Sequence, residues 1–287
     1  MAGRSKTPRS IRVALAQMPV NWKEPEANVQ RAEALIAQAA GMGADLAALP
    51  ECFVAPARER SEAIPGPLSR RFSALARKLR IHLVMGSIGE RCGEQLFNTA
   101  CLIDDRGWLI GRYRKRFLWF TERALGTAGT SAPVFRTRLG RIGLAVCWDL
   151  AFPEHFRELA LAGADLTVCP AYWQAGDRFG RLSPGQARKV VLLPGAEEFF
   201  VNSCVAARAA ENGMAMAFVN AVGRTRVQGR SDRLIGLSQV VVPFRGTVAS
   251  AGDAPALVVA DVDMGLVREA ERVYALREDA RMIRTRR

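Results

Sequence analysis

The sequence predicts a single α/β domain in which mixed sheets are layered with helices. Strand-like and helix-like segments alternate from end to end, as layered α/β domains require. Several strand-like segments follow one another across tight turns, which calls for antiparallel as well as parallel pairing. No linker-like stretch or internal repeat divides the 287 residues, a length that can bury a full core without metals or disulfides.

Each element follows from local pattern. Ile11 to Gln17 reads as a strand closed by Pro19. Asn28 to Ala40 carries Val29, Ala32, Leu35, Ile36 and Ala39 at helical spacing, and Gly41 and Gly43 stop it. Leu46 to Leu49 is a short buried strand ending at Pro50-Glu51. The turn Pro65-Gly66-Pro67 precedes a second helix, Leu68 to Leu79. Strands follow at Ile81 to Gly86 and Thr99 to Ile103, and Asp105-Arg106-Gly107 turns into Trp108 to Tyr113. Val134 to Thr137 and the apolar run Ile142 to Cys147 form a hairpin-like pair around Leu139-Gly140-Arg141. Pro153 opens a helix, Glu154 to Leu161, at a position where its missing N–H is not needed. Leu166 to Cys169 is the next strand, and Gln174 to Pro194, with several Gly and Pro, reads as loop. Glu197 to Asn212 is helical, and Met216 to Val219 is a strand followed by a Gly-bearing turn segment. Ser238 to Val242 and Leu257 to Val262 are the last strands before a charged C-terminal helix.

Composition excludes several function classes. The net charge of +13 is almost all arginine and is scattered along the chain, with short clusters only at Arg4 to Arg12 and Arg281 to Arg287. Scattered charge reads as a solvated surface with basic tails at 1–9 and 281–287, around a domain spanning 10–280. A basic, catalytically inactive nucleic-acid- or anion-binding protein is the reading that this charge keeps open; membrane association is not expected. Six cysteines form no CxxC pair, and with only His82 and His155 available a metal site is not expected. No apolar run approaches the ~20 residues of a membrane span, and the N-terminal MAGRSKTPRS lacks the apolar region of a secretory signal. A cytoplasmic location is the default expectation.

A thiol nucleophile needs a special position and a base. Cys147 ends an apolar run just before the helix that opens at Pro153, and a nearby helix N-terminus stabilises a thiolate and offers N–H groups to an oxyanion. A buried structural cysteine, as expected for Cys101, Cys169 and Cys204, is the competing reading. His155 would have to turn back over Pro153 to reach the sulfur, and His82 sits in an apolar strand, so carboxylates remain as candidate bases. Glu51 stands at a strand end within Leu-Pro-Glu-Cys-Phe, where apolar neighbours raise a carboxylate toward the range useful for a base. Lys115, within Tyr-Arg-Lys-Arg-Phe, is one of few lysines in an arginine-rich chain.

Three separated motifs, Leu49-Pro50-Glu51, Tyr113-Arg114-Lys115 and Cys147-Trp148-Asp149 followed by Phe152-Pro153-Glu154, resemble in order and spacing the nitrilase, or carbon–nitrogen hydrolase, superfamily. The linking segments Ile64-Pro65-Gly66, Gly86-Ser87, Phe97-Asn98-Thr99-Ala100 and Leu109-Ile110-Gly111 resemble it too, as do Arg208 to Asn212 and Val219 to Gly223. The resemblance implies a four-layer αββα sandwich paired into homodimers or higher assemblies, with no metal or organic cofactor. It implies Glu51 as general base, Cys147 as the acylated nucleophile, and Lys115 with the Trp148 N–H as oxyanion donors. Glu122, in Trp119-Phe120-Thr121-Glu122, matches the second glutamate of such sites. Asp149 in place of Glu after Cys-Trp favours a small linear carboxamide or N-carbamoyl amine over a nitrile, although Ala151 stands where N-carbamoyl amine hydrolases tend to carry Trp. Trp148, Tyr172 and Trp173 are expected to line the substrate pocket.

Overall fold

The computed structural model of the protein describes residues 10–120, 122–175, 194–227 and 230–285. The first half builds one sheet and its helices. In chain order these are β1 (Ser10–Gln17), α1 (Pro25–Gly41), β2 (Leu46–Ala48), β3 (Ser61–Glu62), α2 (Pro67–Leu79), β4 (His82–Cys92), β5 (Gln95–Ile103) and β6 (Leu109–Arg114). The second half supplies β7 (Val134–Thr137), β8 (Gly140–Leu144), α3 (Pro153–Leu161), β9 (Leu166–Ala171), α4 (Ala196–Asn212), β10 (Ala215–Asn220), β11 (Val222–Val227), β12 (Arg230–Ile235), β13 (Gln239–Val242), β14 (Gly246–Ser250), β15 (Ala256–Asp263), α5 (Met264–Tyr274) and α6 (Leu276–Thr285).

Two mixed sheets result. The first runs β15-β1-β2-β4-β5-β6, with β3 added beside β4; the second runs β14-β13-β10-β9-β8-β7, and β11 pairs with β12 as a separate hairpin. β1, β2 and β4 are parallel to their neighbours in that order, as are β8, β9 and β10, while the outer strands pair antiparallel. Alternation along β1 explains the layering. Val13 and Leu15 join a core that contains β8, β9, β10, α3 and α4, whereas Ala14 and Ala16 join a second core with α1 and α2. Helices therefore cover the outer face of each sheet, and the inner faces meet: an αββα sandwich. Each fully buried Leu, Ile or Phe in these cores contributes about 1.5–3 kcal/mol.

Most expected elements are present, with informative differences. α1 starts three residues before the expected Asn28, because Pro25 occupies a first-turn position that needs no N–H. The apolar run ending at Cys147 is not strand throughout: β8 stops at Leu144, and Cys147 begins a short helical turn, Cys147–Ala151. The expected turn segment after β10 is the β11–β12 hairpin, and β14 was not expected. The single C-terminal helix is two, broken at Ala275 in the left-handed region (φ 49°). Residues 281–285, expected as tail, continue α6. The loop expected from Gln174 to Pro194 lies outside the described residues over 176–193. All six cysteines are free, and among the described residues no helix is long and apolar enough to cross a membrane.

Candidate active site

The parallel strands of both sheets direct their C-terminal ends toward one region, where ligands bind in open α/β sheets. Glu51 follows β2 across Leu49-Pro50, and its N–H donates to Ala171 O at the end of β9 (3.2 Å). This approach requires Gly86 in β4: its φ is +61°, and a Cβ there would sit 2.1 Å from Pro50 O. Lys115 follows β6 directly; its N–H donates to Asn98 O of β5 (2.8 Å), and its carbonyl accepts from Gly129 N (2.9 Å). Gly129 is also obligatory, since a Cβ would stand 2.1 Å from Arg114 O.

Around these two residues the polar groups form a closed ring. Lys115 Nζ donates to Glu51 Oε1 (2.9 Å) and Glu122 Oε2 (2.7 Å). Asn98 Nδ2 donates to Glu51 Oε1 (2.8 Å) and Glu122 Oε1 (2.9 Å). Glu51 Oε2 accepts from Tyr172 N (2.9 Å), and Glu122 Oε2 also accepts from Trp119 N (2.7 Å). Lys115 and Glu51 are 1% and 4% exposed, so their charges interact with little screening by water. Cys147 adjoins the group, close enough that the charges of Glu51 and Lys115 both act on its thiol.

Cys147 is held in a strained conformation. Its φ is +48°, a region that non-glycine residues rarely adopt and that persists only when the surroundings enforce it. The enforcing group is Asp149, whose carboxyl accepts from Val146 N (2.8 Å), Phe117 N (2.9 Å) and Tyr113 OH (2.6 Å). Arg208 of α4 adds a clamp from the other side, donating to Leu150 O through Nε and Nη2 (3.2 and 3.1 Å).

The electrostatics assign each group a resting form. Burial pushes Glu51 up, with Lys115 opposing. Burial would lower the Lys115 ammonium, but the charges of Glu51 and Glu122 outweigh it and hold the lysine well above its usual value. Glu122 is lowered: burial would raise it, but Lys115 and its hydrogen-bond donors prevail. Burial and the charge of Glu51 push the Cys147 thiol well above its usual range. A protonated thiol is therefore the resting form that this site favours.

The structure brings Glu51, Lys115, Cys147 and Glu122 together. Trp148 sits among Trp119, Phe152, Trp173 and Phe200, with ring centroids 4.4 to 6.3 Å away. Trp173 is anchored by Nε1 to Glu197 Oε2 (2.7 Å) and by its N–H to Asn220 Oδ1 (2.8 Å). Tyr172 differs from expectation. Its ring stacks on Trp22 at 4.4 Å and its hydroxyl donates to Thr225 (2.7 Å), so the main chain, not the side chain, reaches Glu51. His155 is buried behind the turn, donating from Nε2 to Leu144 O (3.0 Å). Sequence reasoning missed Asn98 and the anchoring role of Asp149. Both lie in segments already quoted for the resemblance, but nothing in their wording distinguishes a contact to the ring from ordinary packing.

Comparison with known proteins identifies the family. The carbon–nitrogen hydrolase family matches residues 12–272. Human omega-amidase NIT2 is 30% identical over 274 residues, covering 91% of each chain. The crystal structure of Saccharomyces cerevisiae Nit3, a member of branch 10 of the nitrilase superfamily, superposes with a TM-score of 0.77 at 26% identity, over 95% of this chain and 97% of that one. A variant of the amidase from Nesterenkonia sp. AN1, carrying the acetamide moiety of fluoroacetamide covalently on its active-site cysteine, superposes with a TM-score of 0.73 at 26% identity, over 96% and 99%. A cysteine, two carboxylates and an ammonium at one sandwich edge, in a chain matched along nearly its whole length, give one conclusion: the chain belongs to the carbon–nitrogen hydrolase family, within the nitrilase superfamily.

Proposed function

We propose that this carbon–nitrogen hydrolase cleaves small linear carboxamides through an acyl-enzyme on Cys147, with Glu51 as base and Lys115 and Glu122 completing the site. The observation that carries the reading is the convergence of Cys147, Glu51 and Lys115 from three distant segments onto one buried ring. Cys147 Sγ attacks the amide carbon while its proton passes to Glu51. Oxyanion charge is met by Lys115, which has three N–H groups and commits two of them to Glu51 and Glu122, and by the Trp148 N–H. Collapse of the tetrahedral species breaks the C–N bond as Glu51 returns the proton to nitrogen, releasing ammonia and leaving a thioester. Glu51 then takes a proton from water, whose oxygen attacks the thioester; the acid leaves and the thiol is restored. Glu122 keeps the ammonium charged and aimed. Trp148 and Trp173 form an aromatic wall beside the nucleophile, and Tyr172 serves through its N–H.

The amidase names of the relatives support a carboxamide over a nitrile or an N-carbamoyl amine. Ammonia release across carboxamides, ureido acids and nitriles, with mass spectrometry of Cys147, tests the substrate class. Carboxamides are expected to acylate Cys147, and Glu51→Gln is expected to stay folded with kcat lowered by about 10²–10⁴. Undiminished turnover by folded Cys147→Ala would refute the mechanism. Polyanion binding that survives Cys147→Ala, in a wild type that turns over none of the panel, would instead favour a basic binding protein. The catalytic unit we propose spans residues 10–280 and works in the cytoplasm as a homodimer or larger homo-oligomer. The exposed, stacked pair Phe244 and Tyr274 supports self-association, which sedimentation at micromolar concentration checks.

A further inference from the structure

We infer that Asn98 is a positioning residue for the amide hydrolysis proposed above: its one side-chain NH₂ group ties Glu51 to Glu122 and directs the transferred proton to Glu51 Oε2. This rests on that reading of the site and adds a residue to it. Nδ2 has two hydrogens and stands 2.8 Å from Glu51 Oε1 and 2.9 Å from Glu122 Oε1, one hydrogen for each carboxylate. The amide orientation is fixed by chemistry, since Oδ1 facing two carboxylates would bring only acceptors together.

The consequence lies in how the oxygens of Glu51 are occupied. Oε1 accepts both Lys115 Nζ (2.9 Å) and Asn98 Nδ2. Oε2 accepts only the Tyr172 N–H (2.9 Å) among the described residues' hydrogen bonds, so it is the oxygen with room for a proton. The groups facing Glu51 are Lys115 after β6, Glu122 in the single turn that follows, Cys147 in the turn after β8, and Cys52 beside it in sequence. Lys115 is the one cation in that set, and it is shared by two carboxylates. Asn98 supplies what a second cation would otherwise have to supply, without adding charge.

Two further observations belong to the same residue. The Asn98 carbonyl accepts Lys115 N (2.8 Å), so one residue of β5 sets both the backbone of the lysine and the carboxylates that its ammonium bridges. Asn98 is 5% exposed, and its Oδ1 finds no hydrogen-bond partner among the described residues. A buried acceptor left unpaired is costly, and it is retained here on the side chain whose NH₂ group holds the ring. Aspartate at this position would add a third negative charge, and alanine would leave both carboxylates dependent on Lys115.

The test is the pH dependence of kcat/KM on a simple carboxamide, beside the pH dependence of Cys147 alkylation by iodoacetamide, for wild type, Asn98→Ala and Asn98→Asp. Loss of a donor to the ionised form makes Glu51 hold its proton to higher pH. The acid limb of both profiles is expected to move up by about one pH unit. In Asn98→Ala, kcat is expected to fall by about 10²-fold with KM within about threefold. The shift is expected to be larger in Asn98→Asp, which matches the native shape and decides the matter should the alanine variant not fold. An unmoved acid limb in a folded variant, or a raised KM with kcat preserved, would overturn the role of Asn98. Absence of carboxamide turnover in wild type would instead count against the amidase reading, and the alkylation profiles would still decide on Asn98.

Discussion

Lys115 carries one positive charge between two carboxylates, Glu51 buried and Glu122 half-buried, and that imbalance governs the chemistry of each partner. Replacing it with an uncharged residue of similar length leaves Glu51 and Glu122 facing each other with only Asn98 and main-chain N–H groups between them. Lys115→Met is therefore expected to abolish turnover and to lower stability by about 3–5 kcal/mol, read from urea unfolding; unchanged stability would mean that the pair does not bear the charge assigned to it. Glu51 must be ionised to act as base, and burial raises its pKa. As pH falls through that raised value the base is protonated and activity is lost. The acid limb of kcat/KM is thus expected above the ordinary carboxylate range, and a limb at or below that range would contradict the burial argument. At this scale Glu51, Lys115 and Cys147 were legible because each sits in a distinctive motif. Asn98 was not, since an asparagine in a strand shows its role only once the strand's neighbours are known. Tyr172 misled for a related reason: the residue contributes an N–H, which every non-proline position carries and no sequence pattern marks.

The short turn Cys147–Ala151 is tied down by the Asp149 carboxyl in addition to main-chain bonds from Asp149 N to Val146 O (3.1 Å) and from Phe152 N to Asp149 O (3.0 Å). One carboxyl group receives three donors, and two of them, Tyr113 OH and Phe117 N, flank Lys115 in sequence. Asp149 thereby fixes the nucleophile's turn to the segment that carries the ammonium. Burial and the charge of Asp149 keep Tyr113 protonated, so that it remains a donor. An asparagine would offer one acceptor oxygen and turn an NH₂ group toward remaining donors. Asp149→Asn is expected to cost about 2–3 kcal/mol in urea unfolding and to reduce kcat more than KM is changed; a variant with wild-type stability and kcat would show that the turn is held by other means. The same residue shows what element-level reading can reach. Hydrophobic periodicity placed β1, α2, α3 and β9 to within a few residues, because each has a clear buried face. It extended β8 to Cys147 because Ala145 and Val146 are apolar and buried, and only the left-handed φ of Cys147 reveals that the strand has ended. β11 and β12 escaped because Gly223, Arg224, Arg226 and Arg230 obscure any two-residue alternation.

At the scale of the whole molecule, two arginines show how position decides what a charge contributes. Arg12 and Asp261 pair across β1 and β15 at 2.8 Å, but their side chains are 43% and 59% exposed. Water screens that pair, and its loss is expected to leave stability close to that of the wild type. Arg277 in α6 is different: its side chain is buried, and Nη2 donates to Ala164 O (2.7 Å) and Gly213 O (3.1 Å). Those carbonyls lie just beyond the ends of α3 and α4, the helices that cover the second sheet, so one guanidinium joins the C-terminal helix to both. Glu271, partly exposed, supplies the counter-charge at 3.5 Å. Replacing Arg277 with leucine removes both donors and leaves buried carbonyls unpaired. Arg277→Leu is expected to lower stability by about 2–3 kcal/mol, and Arg12→Leu to unfold close to the wild-type midpoint, in parallel urea titrations. The surviving fold of Arg277→Leu should still alkylate Cys147 with the wild-type pH profile, because no part of the Glu51–Lys115–Glu122 ring touches α6. An equal loss in the two variants would mean that the packing of α6 against α3 and α4, rather than the bonds from Arg277, carries the docking. A changed alkylation profile in Arg277→Leu would mean that the second sheet transmits the position of α6 to the Cys147 turn.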